Sequence, residues 1–152
     1  MTTTNENKPF GINNATFLEL GSRTITETDI VNFAGISGDF YPLHTSEEFA
    51  KNTVFGRRVA HGLLTLSATS GLWTSSKLFK NSIIAFYGIS RIQFMKPVFP
   101  GDTIRVRIKF LTKEKRKNGE LLTFTSETIV GDSKVMILEA KFLMESGFSI
   151  PH

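Results

Sequence analysis

The sequence predicts an α+β domain in which an antiparallel sheet wraps around one long helix. Three observations carry this. A stretch rich in small residues, from about Val59 to Phe79, is the longest helical candidate. From Ser82 onward the period changes from helix to strand. No internal repeat, low-complexity tract or long linker divides the 152 residues. Residues 1–152 are therefore read as one domain, long enough to bury roughly two thirds of its unfolded surface.

The elements follow in order. Residues 1 to about 10 read as a flexible polar tail, without the basic-then-apolar layout of a signal peptide. Ala15 to Leu20 suits a short first strand. Thr26 with Asp29 three positions on is a variant capping box, and Ile30, Phe33 and Ile36 offer an apolar face that Gly38 is placed to end. A second helix start is read at Thr45 with Glu48. That makes Asp39 to His44 a short non-helical link, stiffened by Pro42, which fixes its own φ and pushes Tyr41 toward an extended conformation.

The long helix carries Leu63, Leu66, Ser70 and Trp73 at helical spacing, and its small residues (Gly62, Ser67, Ala68, Ser70, Gly71) suit burial on most sides by a closely approaching sheet. Two glycines inside an exposed helix would cost about 1 kcal/mol each, so packing or a backbone contact must compensate. Ser82–Met95 reads as the next strand. Ile104, Val106, Ile108 and Phe110 alternate with Arg105, Arg107 and Lys109, a strand with one face on the core and one in water. Leu121–Val130 pairs back across Asn118-Gly119, a type I′ hairpin signal. Ser133–Glu145 closes the sheet, with Met136, Leu138, Ala140, Phe142 and Met144 on one face.

Composition narrows the chemistry. With no cysteine, disulfides, thiolate catalysis and Cys-based zinc sites are excluded. Three scattered histidines do not suggest a metal site, and no cofactor is called for. No apolar run approaches the ~20 residues that span a bilayer, so a cytoplasmic protein is expected. The net charge of +4 is no nucleic-acid signal: the most basic run, Lys113 to Lys117, lacks interleaved aromatics and reads as a solvated hairpin tip. Fourteen phenylalanines suit either a thick core or the walls of an apolar pocket, the core being the default.

The most specific feature is Gly38-Asp39-Phe40-Tyr41-Pro42-Leu43-His44 followed by Phe55-Gly56-Arg57-Arg58-Val59-Ala60-His61-Gly62. With Arg91 to Asp102, these segments resemble the MaoC-like, or (R)-specific enoyl-CoA hydratase, family of single hot-dog domains, a likeness running from about Thr26 to Met144. The resemblance implies a hot-dog fold, with the catalytic loop and short helices overhanging the central helix. It also implies hydration of trans-2-enoyl thioesters to (3R)-hydroxyacyl products, Asp39 and His44 as the catalytic pair, and Gly62 as the oxyanion N–H. The family's motif has asparagine before the proline, where this chain has Tyr41.

These residue types suit that chemistry. Histidine titrates nearest neutral pH and exchanges protons readily. A first-turn N–H has no intrahelical partner, and glycine lets an oxygen approach it. Ser70, two turns on, is a further candidate to steady Asp39. Arg57, Arg58, Arg91 and Lys96 are candidate cations for CoA phosphates. Each residue also has a plainer reading: Asp39 as a turn cap, His44 as a surface histidine, Gly62 as a packing glycine, His61 as structural and Trp73 as core. A hot-dog thioesterase and a non-catalytic acyl-thioester-binding module are the competing functions. Acyl-CoA or an acyl carrier is the expected partner, with no nucleic acid or membrane, and a homodimer is expected from the family's habit of pairing sheet edges.

Overall fold

In the computed structural model, which describes residues 16–149, the elements run β1 (Leu18–Thr24), α1 (Glu27–Ser37), α2 (Pro42–Thr45), α3 (Glu47–Ala50), α4 (Gly62–Ser75), β2 (Ile83–Phe94), β3 (Thr103–Arg116), β4 (Gly119–Val130) and β5 (Ser133–Met144). The strands form one antiparallel sheet in the order β1-β3-β4-β5-β2. The expected tail, residues 1–10, and the expected strand start at Ala15 lie outside the described residues.

Local signals set most boundaries. Thr26 and Asp29 complete the capping box of α1, and Gly38 ends that helix in the left-handed region at φ 74°. Ile30 and Ala34 turn inward, whereas Ile36 is 85% exposed and does not share the apolar face read for it. The second cap is Ser46, which accepts a hydrogen bond from Phe49 N–H. Thr45, the residue expected there, instead donates its hydroxyl to Phe40 O and Tyr41 O.

The concave side of the sheet holds an aromatic core. Trp73 is fully buried and packs edge-on against Phe124 and Phe142, at 5.4 and 5.9 Å between centroids; Phe79, Phe110 and Phe148 extend the cluster. Helix α4 enters this cluster at Trp73, while its Leu64 and Ala68 pack into a second apolar cluster with Ile25, Ile30, Val98, Ile104 and Val135; Thr65 and Thr69 are buried on the same side of the helix. The expected face through Leu63 and Ser70 is displaced: Leu63 is 60% exposed, and the helix is open along the side that carries Leu63, Ser67 and Gly71. The reason is a polar seam inside the core. Thr69 and Thr128 hydroxyls meet at 2.9 Å, and the Trp73 indole N–H donates to Ser126 Oγ at 2.9 Å. Buried hydroxyls are tolerated where each has a hydrogen-bond partner, so the true face contains threonines.

Two further expectations are corrected. The basic run is mostly strand: Lys113 to Arg116 belong to β3, and Lys113 and Arg116 pair with Glu120 and Glu114. Lys117-Asn118 form the turn, since Arg116 pairs with Gly119 across it. The only described non-glycine residues with positive φ are Lys80 and Arg91, so the turn is not type I′. Gly119 is required for a different reason: a Cβ there would lie 2.2 Å from Met144 O.

On the other face of the sheet, Glu127 is buried and receives Arg107 at 2.6 Å and Lys134 at 2.7 Å. Burial pushes its carboxyl up, but the hydrogen bonds and charges of Lys134 and Arg107 outweigh this and hold it below the ordinary carboxylate range.

Candidate active site

The segment after α1 is a chain of local hydrogen bonds. Gly38 turns the backbone, Asp39 N–H donates to Ser37 Oγ at 3.1 Å, and Asp39 Oδ1 accepts Tyr41 N–H at 3.2 Å. This Asx-type turn delivers Pro42 to the first position of α2, where its missing N–H costs nothing. His44 therefore sits on a helical turn, not on the non-helical link expected. Its Nδ1 lies 2.8 Å from Val59 O. A carbonyl only accepts, so Nδ1 carries the proton and Nε2 is left as the basic nitrogen.

The second segment is fixed from both sides. Val59 N–H donates to Leu43 O at 3.3 Å, and Ala60 N–H donates to Val98 O at 2.7 Å. The next residues, His61 and Gly62, are the N-cap and first residue of α4. At that position the Gly62 N–H has no carbonyl of its own helix to bind. A Cβ on Gly62 would meet the Phe94 ring at 3.1–3.2 Å, so glycine serves close packing here as well as an open approach to its amide.

The fold brings Asp39, His44 and His61 together, with one potential ligand atom from each lying within 4.8 Å of the others. His44 and His61, scattered in sequence, thus converge, a meeting that the spacing alone does not reveal. The His61 ring is buried and stacks on His44 at 3.9 Å and 27°, and its Nε2–H donates to the backbone O of Asp39 at 2.9 Å. Stacked rings hold their in-plane lone pairs in nearly parallel planes, a poor arrangement for two ligands of one zinc. The trio suits proton handling better than metal binding.

His44 and Gly62 line the same cavity, about 400 Å³, whose walls include Phe55, Val59, Phe94, Met95 and Val98. Phenylalanine thus builds both core and pocket. Of the expected cations, Lys96 borders this cavity while its Nζ donates to Ser133 Oγ. The exposed Arg57 guanidinium lies 4.0 Å from the Phe99 ring centre. Arg91 is on β2 beside a different pocket, with Glu139 3.8 Å away. Arg58 is committed elsewhere: it binds Glu27 on α1 and Glu47 on α3, and those hydrogen bonds raise its pKa further. Ser70 donates to Ser67 O and makes no hydrogen bond to Asp39. Tyr41 stands outside the cavity lining, edge-on to His44 at 6.2 Å and to Phe49 at 5.8 Å.

A family model for the MaoC like domain matches residues 13–131. The chain belongs to the MaoC-like family. One member, the (R)-specific enoyl-CoA hydratase of Rhodospirillum rubrum, is 33% identical over 125 residues, covering 81% of this chain and 82% of that protein. Protein MaoC of Klebsiella aerogenes is 45% identical over 86 residues, 57% of this chain, and the match spans only 25% of that longer protein. Among solved structures, the monoamine oxidase regulatory protein of Archaeoglobus fulgius superposes with a TM-score of 0.78 at 36% identity, over 87% of this chain and 90% of that one. The five-stranded sheet around α4 is the MaoC-like hot dog. Among the described residues, no helix is long and apolar enough to cross a membrane.

Proposed function

We propose that this chain is a hydratase/dehydratase that adds water to trans-2-enoyl thioesters. The observation that carries the reading is the meeting of the Asp39 and His44 side chains beside a cavity that His44 shares with the α4 amide of Gly62. The His44 Nε2 takes a proton from water as its oxygen bonds to the β-carbon of the substrate. Asp39 holds the same water. The electron pair of the double bond shifts toward the thioester oxygen, to which the Gly62 N–H donates a hydrogen bond, and the α-carbon then takes a proton back from the Asp39/His44 pair. A preorganised donor of this kind is worth about 3 kcal/mol in the transition state. With acid and base on one side, H and OH reach one face of the double bond, in keeping with a (3R)-hydroxyacyl product.

The apolar walls suit an acyl chain. Lys96 at the cavity and Arg57 suit the phosphates of a CoA or carrier-bound pantetheine; Arg58, already paired, does not. A homodimer belongs to this reading. Strand β2 is a sheet edge carrying exposed Ile84, Phe86 and Tyr87, and a second copy would cover it. A cytoplasmic location belongs to the same reading.

With crotonyl-CoA, the purified protein should remove the conjugated enoyl absorbance, and Asp39→Ala or His44→Ala should abolish that loss. Undiminished turnover by both variants would overturn the assignment. Release of free thiol would point instead to a thioesterase. Saturable binding without turnover at any chain length would point to a binding module.

A further inference from the structure

We infer that His61 is a positioning residue for the Asp39/His44 pair, a role that rests on the hydratase reading above. Three contacts define it. Its Nε2–H holds the backbone carbonyl of Asp39, 22 residues earlier. Its face supports one side of the His44 ring. Phe33 of α1 meets the same ring in a tilted contact at 5.0 Å, so the imidazole touches both α1 and α2.

The remaining nitrogen separates this role from ordinary core packing. His61 is 2% exposed, and among the described residues its Nδ1 has no hydrogen-bond partner. A leucine or phenylalanine would fill the same space without burying an unpaired polar atom, which is destabilising. What an apolar side chain lacks is the N–H that reaches Asp39. Among the described residues that tether is the only non-local hydrogen bond on Asp39: its amide and Oδ1 bond to Ser37 and Tyr41, two residues away on either side. Asp39 itself is exposed. Without His61, Asp39 itself is anchored only by its immediate neighbours. The stack completes the arrangement by covering one face of the His44 ring.

Two variants separate the tether from the ring. In His61→Gln the side-chain amide nitrogen lies the same number of bonds from Cα as Nε2, so it keeps the donor and loses the ring. His61→Phe keeps a ring and loses the donor. For enoyl-CoA hydration, His61→Phe is expected to lower kcat on the order of 10²-fold, as misplacement of a reacting group by about 1 Å does. KM should stay within about twofold, and His61→Gln should recover most of the rate. Full activity in His61→Phe, or a His61→Gln enzyme as slow as His61→Phe, would overturn the inference. If His61→Phe does not fold, His61→Asn, whose amide is too short to reach the carbonyl, takes its place.

Amide exchange at Tyr41, whose N–H is held by Asp39 Oδ1, reads the same tether without catalysis. It should quicken several-fold in the donor-free variant and not in His61→Gln, and unchanged exchange would refute the role of His61. Should the wild type turn over no enoyl thioester, the hydratase reading fails while the exchange result still decides for or against His61 as the anchor of the turn.

Discussion

The two ends of α4 are held by different forces. At its C-terminal end, Trp73 is fully enclosed by aromatic rings and a single satisfied indole N–H. At its N-terminal end, His61 and Gly62 meet a turn whose side chains stand largely in water: Phe40 is 63% and Tyr41 55% exposed. That turn is ordered by hydrogen bonds to Ser37, Asp39, Val59 and His61, each directional and weak. On the hydratase reading, the aromatic packing sits toward one end of the helix and the reacting groups at the other. Damage to the two should therefore be separable.

The strongest test of that separation is chemical. His44→Ala should reduce hydration about 10²–10⁴-fold and leave the thermal midpoint within a few degrees of wild type. A large fall in the midpoint would show that the overhang also supports the core. The converse experiment is Phe124→Ala, expected to cost about 3–5 kcal/mol in denaturant unfolding while the folded fraction keeps most of its activity.

A third, smaller effect belongs to the opposite face of the sheet. Glu127→Ala should destabilise by roughly 2 kcal/mol near neutral pH, since charged hydrogen bonds are worth about 1.5–3. The folded-state pKa of Glu127 is lowered, as is that of Asp29, where burial is outweighed by hydrogen bonds from Thr26 and by Arg23. Such carboxylates contribute stability above their unfolded pKa, about 4, and lose it as pH falls through the lowered folded value. Urea midpoints should thus decline below about pH 4, less steeply in the Glu127 variant. Smallest is Arg58→Met. Its partners Glu27 and Glu47 are half exposed, so the loss should stay below about 1 kcal/mol, with a modest fall in kcat if α1 and α3 shift the turn between them.

What could be read from the sequence was mostly what is local. Thr26, Asp29 and Gly38 announce α1 because a cap and a left-handed stop involve only neighbouring residues. The alternation from Met136 to Met144 shows its buried face because every inward residue is apolar. Helix α4 misled for the opposite reason: Thr65 and Thr69 look polar, and only the distant Ser126 and Thr128 make clear that hydroxyls belong inside. The Asp39–His44 spacing marked the site, whereas His61 did not announce itself, since its partner carbonyl lies 22 residues back. The available hint was a histidine directly after the apolar Val59-Ala60 and directly before a helix-opening glycine. The hairpin was placed one residue late because Asn118-Gly119 suits a type I′ turn, and the close approach of Met144 O to Gly119 is a tertiary fact.

The polar seam between α4 and β4 has a consequence for heat. In the proposed reaction the Gly62 amide takes part of its bearing from a helix whose far end is seated at Trp73, eleven residues or about 16 Å along the axis. Warming that loosens this distant seat would swing the donor off its target while the chain is still folded. Catalysis would then fade below the melting temperature, and a tighter fit around Trp73 would raise the working limit of an enzyme whose reacting groups were never altered.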